Sequence, residues 1–523
     1  MPRPKKDPKS PPKAAVTRQE SLALKSDGPV TLSQLESHLW EAANILRGPV
    51  DAADFKSYVF PLLFFKRISD VHDEERAAAV QKFDGDESAA DFAENFSFQL
   101  PKGSHWSDVR KTATNVGQAL QSALRGIEKE NPDTLYGIFG DTQWTNKERL
   151  PDSLMRDLIE HFSAINLGNQ VAKADILGQA YEYLIKKFAD AANKKAGEFY
   201  TPRAVVRLMV NILDPKERET IYDPSCGTGG MLLEAVHHVK ESKGDARTLW
   251  GKIHGQEKNL TTSAIARMNL LLHGVNDFKI HRGDTLRSPA FHTGDALATF
   301  DCVIANPPFS LDKWGHEQWA SDPYGRNFAG MPLETNADYA WVQHMVKSMD
   351  PKSGRMAVVL PHGVLFRGGK EGEIRKKLLG MDILEAVIGL GSNLFYGATL
   401  SACVLIFRQR KPKDRKGRVL FIDASKQIKV GRAQNEMLPE HIDQIESWYR
   451  DFKDVPGSTK VVTLEELNAN DGNLNLSRFI EAVSDEKVPT VEEAMADLRK
   501  AADDAFAAED RLIALLKKEG FLQ

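Results

Sequence analysis

A change of texture near Ala174 does most to limit what this chain can become. From there, short apolar runs alternate with helix-length segments: TIYD, KIHGQE, DCVIAN, RMAVVLP, ILEAVIGL and SACVLIF. Short apolar runs bounded by turn residues read as buried strands, and strands that alternate with helices imply a mostly parallel sheet covered by helices. The last two runs lie close enough together for the sheet to end in a reversed strand.

What precedes and follows that region reads differently. With 523 residues, the chain has room for roughly three domains. Residues 1–30 are rich in proline and carry Arg3, Lys5, Lys6, Lys9 and Lys13, the composition of a disordered tail. Residues 31–165 read as a helical domain: Leu32, Leu35, Leu39, Ala43 and Leu46 follow helical spacing, and Thr31 with Gln34 forms a candidate capping box. A second helix is predicted through DFKSYVFPLLFFKRISDVHDEERAAAV, kinked at Pro61. The α/β region spans 166–411, and a charged α/β extension spans 412–488. A last helix within 489–523 places Val491, Met495, Leu498, Ala502, Ala505, Leu512 and Leu516 on one seam, interrupted at Glu509, as a partner's helix would require.

Composition excludes several classes. No apolar run is long enough to cross a membrane, and no leader pattern is present. Cys226, Cys302 and Cys403 are far apart with no C-x-x-C, which argues for a reducing, cytoplasmic compartment and against a structural zinc site; no metal ligands are assigned. A net charge of −4 is unusual for a chain that grips nucleic acid unaided, so any such role requires help.

The run TIYDPSCGTGGML, Thr220 to Leu232, is a strand, a glycine-rich turn and a helix start. Gly227, Gly229 and Gly230, with Thr228 between them, let backbone approach a ligand at the strand's carboxyl end. The spacing is neither G-x-G-x-x-G nor that of a P-loop, which is found nowhere in the chain. Asp223, opening the loop, suits an ammonium group rather than a pyrophosphate. Glu257, ending KIHGQE, is placed to accept both hydroxyls of a ribose, and Asp284 in RGDTL to accept from an adenine amino group. An adenosine with a charged amino-acid tail meets all three, which points to S-adenosylmethionine.

The run FDCVIANPPFS, Phe300 to Ser310, stops a buried strand at Asn306 and two prolines. Pro307 and Pro308 cannot continue a ladder, so a rigid corner results. Such a corner fits methyl transfer to a planar amine, whose lone pair is delocalised into its ring. Acceptors on both N–H bonds, the Asn306 oxygen and the Pro307 carbonyl, favour a pyramidal nitrogen without a strong base. Phe309 offers a face on which a base removed from its duplex can stack.

These residues are similar to a known family. GEFYTPR (Gly197–Arg203), DPSCGTGG (Asp223–Gly230) and NPPF (Asn306–Phe309) resemble, in order, the motifs of amino-methyltransferases that include the modification subunits of type I restriction–modification systems. NADYAWVQHM, the stretch Gly354–Leu379, NLFYGATLSACVLIF and NLNLSRFI extend the likeness to essentially everything from about residue 30. The resemblance implies a Rossmann-like, S-adenosylmethionine-dependent methyltransferase fold with a helical N-terminal domain and a C-terminal helix. It implies N6 methylation of adenine in double-stranded DNA by a complex of two such subunits and one specificity subunit, which restriction subunits can join. It places Glu198, Phe199, Tyr200, Thr201, Pro202 and Arg203 beside the cofactor, Thr228–Gly230 and Glu257 on it, and Asn306–Phe309 on the target base. It also accounts for the charge, since a separate subunit would read the bases. Cys226 and ATLSA (Ala398–Ala402) depart from the family's pattern; Cys226 is expected to pack rather than react.

The loop 310–338, with Trp314, Trp319, Tyr324, Arg326 and Phe328, is the candidate for contacts around the flipped base. Two other readings compete: methylation of a protein glutamine or an RNA base, and a non-catalytic scaffold.

Overall fold

The computed structural model describes residues 30–192, 201–395, 401–432, 434–481 and 490–522. Residues 1–29 of the expected tail and residues Glu198–Tyr200 fall outside the described residues, whereas Val30, placed in the tail, is buried in the helical core and its N–H donates to the Val171 carbonyl at 3.2 Å.

Helix α1, Leu32–Leu46, begins with the expected capping box: Thr31 accepts from the Gln34 N–H, and the Gln34 side chain accepts from the Thr31 N–H. Helix α2, Phe55–Lys82, runs through Pro61 without a break. Pro61 has no N–H for the Ser57 carbonyl one turn earlier, and the Thr142 hydroxyl donates to that carbonyl instead at 2.8 Å. A tertiary contact thus replaces the missing rung. Helices α3 (Val116–Glu130), α4 (Asp152–Ser163) and α5 (Ala174–Ala192) close round the same core, where Leu39, Phe64, Leu124 and Phe162 meet Leu177, Tyr181 and Leu184 of α5. Helical packing therefore continues past Ile165.

The sheet has nine strands: β1 Ile221–Asp223, β2 Ile253–Glu257, β3 Lys279–Arg282, β4 Cys302–Ala305, β5 Arg355–Pro361, β6 Leu384–Leu390, β7 Ala402–Arg408, β8 Arg418–Ala424 and β9 Thr459–Thr463. They lie in the order β9-β8-β6-β7-β5-β4-β1-β2-β3. The ladders are parallel except where β7 runs against β5 and β6, and β9 against β8. The run SACVLIF is thus reversed as expected, yet it does not end the sheet. It sits between β5 and β6, and the free edge of β6 is taken by the apolar strand β8 (RVLFIDA). The stretch after residue 411 therefore extends the same sheet. The outermost strands are short and carry Lys279, Arg282 and Lys460, charges that discourage further pairing.

Alternation along the strands splits the core into two faces. Ile221, Ile304 and Val404 pack under α6 (Arg203–Leu213), α7 (Gly230–Glu241) and, further on, α11 (Pro439–Asp451). Tyr222, Val303 and Leu405 face the opposite layer of α9 (Asp338–Lys347) and α10 (Lys370–Gly380). Helix α8, Leu260–Leu272, is shared: Ala266 and Leu270 join the sheet's core, whereas Ile265 and Met268 join the helical core. The buried Tyr181 hydroxyl donates to the Ile265 carbonyl at 3.2 Å, tying α5 to α8. Helix α12, Val491–Lys518, has a complete capping box at Thr490 and Glu493 but buries no residue. Among the described residues no helix is long and apolar enough to cross a membrane.

Candidate active site

Strands β4, β1, β2 and β3 are neighbours, and their carboxyl ends deliver Asn306, Asp223, Glu257 and Asp284 to one rim of the sheet. The chain moves outward from β1 to β3, then returns to place β4 on the other side of β1. A crevice opens where such a reversal occurs.

Asp223 is buried at the end of β1, and its Oδ1 accepts from the Ser225 N–H at 2.9 Å. Burial pushes its carboxyl up to about 8, against the pull of that hydrogen bond, and the nearby Glu257 adds to the rise. The turn that follows needs left-handed backbone at Gly227 (φ +52°) and Gly229 (φ +79°). Gly227 N–H donates to Glu257 Oε2 at 3.1 Å, and Asn259 N–H to Oε1 at 2.7 Å. A carboxylate has capacity for about four donors, so Glu257 retains room for two hydroxyls. Its carboxyl is also raised, chiefly by burial. A methyl group added at Gly230 would meet no atom within 4 Å, so the loop leaves space there. Cys226 is buried as expected: a side chain at Gly255 would lie 3.0 Å from its sulfur, and burial pushes its thiol far up, away from the reactive thiolate form.

Opposite stands the proline corner. Asn306 Nδ2 donates to Thr201 Oγ1 at 2.9 Å, which turns the amide oxygen the other way. That Oδ1 is buried and has no hydrogen-bond partner among the described residues. Buried acceptors without a partner are rare in native proteins. The corner is held from behind: Ser310 N–H donates to Asp338 Oδ1 at 2.9 Å, and Arg367 bridges Asp338 (2.6 Å) to Glu371 (2.5 Å). Phe309 is half-buried, its ring 6.0 Å from that of Phe395.

A cavity of about 330 Å³ joins the two sides. It gathers Thr201, Arg203, Asp223, Gly227, Thr228, Gly230 and Asn306; Pro202, Gly229, Glu257, Asp284 and the residues Pro307–Phe309 lie outside its lining. Asp284 pairs with Lys258 at 2.9 Å. Arg203 lies between Glu182 (3.3 Å) and Glu234 (3.9 Å), whose carboxyls burial raises. Of the loop 310–338, Tyr324 and Phe328 are half-buried, whereas Trp314, Trp319 and Arg326 are buried and do not face solvent. Trp314 and Trp319 are buried around Leu286 and Trp341, and Arg326 is buried on Asp322 and the carbonyls of Thr285 and Leu286. Tryptophans close in sequence formed a small core of their own, a more favourable use of their area than exposure.

Sequence reasoning also missed a wall. Leu32 and Glu36 of α1 and Gln179, Glu182, Tyr183 and Lys186 of α5 line the same cavity, and no local motif marks them. Ser225 was legible inside the glycine loop; its hydroxyl is buried without a partner among the described residues. Open space at Gly230, oxygens on Ser225 and Asn306 without a partner among the described residues, and the buried acid Asp223 all fit a ligand with a cationic tail and hydroxyl groups.

A mostly parallel sheet with one reversed interior strand, a glycine loop on β1 and an Asn-Pro-Pro-Phe corner on β4 together define a Rossmann-like methyltransferase. The N-6 DNA Methylase family matches residues 172–487, and the HsdM N-terminal domain matches residues 35–162. The chain is 32% identical over 506 residues to the type I restriction enzyme MjaVII methylase subunit of Methanocaldococcus jannaschii, covering 91% of this chain and 82% of that one. It is 33% identical to the MjaVIII methylase subunit of the same organism, covering 90% and 82%. Among solved structures, the type I restriction-modification methyltransferase subunit of Streptococcus thermophilus superimposes with a TM-score of 0.73 at 29% identity, covering 86% of this chain and all of that one. The chain belongs to the N-6 DNA methylase family, among the methylase subunits of type I restriction enzymes.

Proposed function

We propose that the chain transfers a methyl group from S-adenosylmethionine to N6 of an adenine flipped out of double-stranded DNA, as the modification subunit of a type I complex. The observation that carries this reading is the unpartnered oxygen of Asn306, buried across the cavity from Asp223. Thr201 holds the amide by its nitrogen, so the oxygen is free to accept from the adenine amino group. That acceptor, with the Pro307 carbonyl, draws the nitrogen lone pair out of the ring. Phe309 stacks the base. On the other side Asp223 takes the ammonium group, Glu257 the ribose hydroxyls and Asp284, once Lys258 releases it, the adenine amine. S-adenosylmethionine supplies the electrophilic methyl; alignment of donor and acceptor supplies most of the acceleration. The matched family is one of DNA methylases, so the readings with a protein glutamine, an RNA base or a bare scaffold are set aside.

The partners follow from the same reading: DNA, a specificity subunit and a second copy of this chain, with restriction subunits able to join. Helix α12, fully capped yet without a buried side chain, is the seam for the specificity subunit. In functional terms, residues 31–165 form the helical domain, 166–411 the catalytic domain, 412–488 its extension and 489–523 the partner helix. The work takes place in the cytoplasm, where the DNA is.

Methylation-sensitive sequencing of cells carrying this chain with its genomic neighbours tests the reading. Methyladenine at one target sequence, lost with Asn306→Ala, is expected. Unchanged DNA in cells whose protein still binds the cofactor would refute it.

A further inference from the structure

We propose that His72, Asp73 and His105 form a binding site for a transition-metal dication of the zinc type on the helical domain. His72 and Asp73 are consecutive in α2, and His105 directly precedes the short helix Trp106–Arg110. One donor atom from each of the three lies within 4.8 Å of the others, and His105 Nδ1 is 3.9 Å from Asp73 Oδ1.

The His72 ring is the fixed member. It is 8% exposed and stacks on Phe96, with ring centroids 4.1 Å apart and planes 6° from parallel. Its Nδ1 is buried and has no hydrogen-bond partner among the described residues, which the packing of the domain does not explain. Asp73 and His105 are the movable members, with side chains 66% and 26% exposed. Small rotations of both would close the three donors around one ion.

The donor set selects the class of ion. Two imidazoles and one carboxylate suit zinc and its neighbours, whereas magnesium and calcium require shells of oxygen. Three protein donors leave a fourth position for water, and space adjoins it. A second cavity of about 330 Å³ is lined by Asp73 together with Asp70, Glu74, Asn166 and Gln170. Of the carboxylates there, Asp73 and Glu74 favour a cation. Nearby basic groups do not oppose it, because Lys66 is paired with Asp70, and Arg76 with Glu87 and Asp91. The bound ion would clip the middle of α2 to the segment that starts at His105. None of the three ligands lines the methyl-transfer cavity, so the clip acts on the helical domain and not on the chemistry. The cysteine spacing pointed away from metal because these ligands are drawn from two separate helical segments and include no cysteine.

The test uses the untagged full-length chain after chelation. Titration with cobalt(II) is expected to give visible absorption bands that saturate at one ion per chain, and zinc is expected to displace it. Asp73→Asn and His105→Gln should each weaken zinc binding by about 10-fold or more, with helical content and cofactor binding unchanged. The proposal fails if no saturable binding occurs, or if the double variant binds zinc as tightly as the original chain, which would place the ion elsewhere among its 14 histidines.

Discussion

On the β1–β2 side of the cleft, Asp223 and Glu257 are acids that burial holds above their ordinary range, each gripped by backbone N–H groups. On the β4 side, Asn306 is neutral, is gripped by one hydroxyl, and keeps its oxygen unpaired. On the proposed reading, the difference assigns two tasks to the two sides of one crevice. A buried carboxylate is costly until a cation or a set of donors arrives, so it rewards binding. A neutral acceptor adds little to binding but is well placed for a nitrogen on which positive charge develops, so it rewards the transition state.

The strongest way to break this division is Asn306→Ala. Transfer should fall by about 10²- to 10³-fold or more, the loss typical of a removed electrostatic stabiliser, while calorimetry finds cofactor affinity nearly intact. Parallel loss of both would place Asn306 on the cofactor side. Glu257→Ala should do the reverse. Two charge-assisted hydrogen bonds are removed, cofactor binding weakens by about 10- to 100-fold, and the rate at saturating cofactor changes little.

A subtler prediction concerns pH. Asp223 in the empty protein titrates at about 8, so below that it is protonated and a poor partner for an ammonium group. Cofactor affinity should therefore rise as pH increases from 6 toward 8, with proton release on binding, and Asp223→Asn should flatten the profile. The same shift has a stability counterpart. The unfolded chain releases this proton near the ordinary carboxylate pKa and the native chain retains it, so Asp223 costs the empty fold stability progressively as pH rises from about 4 to 8. Smallest of all is the expected effect of deleting residues 489–523 on either side of the cleft. Cofactor affinity and melting temperature should stay unchanged while capture of the specificity subunit is lost. A fall in cofactor affinity would show that α12 supports the cleft.

Two helices of equal length show how far sequence patterns reach. Both α2 and α12 span 28 residues, and both were legible from apolar spacing. Helix α2 buries fifteen side chains and tolerates a proline because Thr142, eighty-one positions beyond it, satisfies the freed carbonyl. Helix α12 has better capping and buries nothing. Spacing announces an amphipathic helix; only the surrounding structure says what covers it, because most helical stability comes from packing. The same limit explains the loop 310–338. Its aromatic and basic residues suggested a surface for the base, and the burial of Trp314 and Trp319 round Leu286 and Trp341 became visible only in three dimensions.

The alternating α/β core, the glycine loop and the proline corner could all be read from the residues alone. Each of these rests on neighbours within a few positions: a strand's apolar run, a glycine's left-handed backbone, a proline's missing N–H. The place of β7 inside the sheet, the wall that α1 and α5 give the cavity, and the grip of Thr201 on the Asn306 amide nitrogen emerge only in three dimensions. Those facts depend on which edges and faces remain free once every strand and helix has buried its apolar side, and that competition is settled by the whole chain at once.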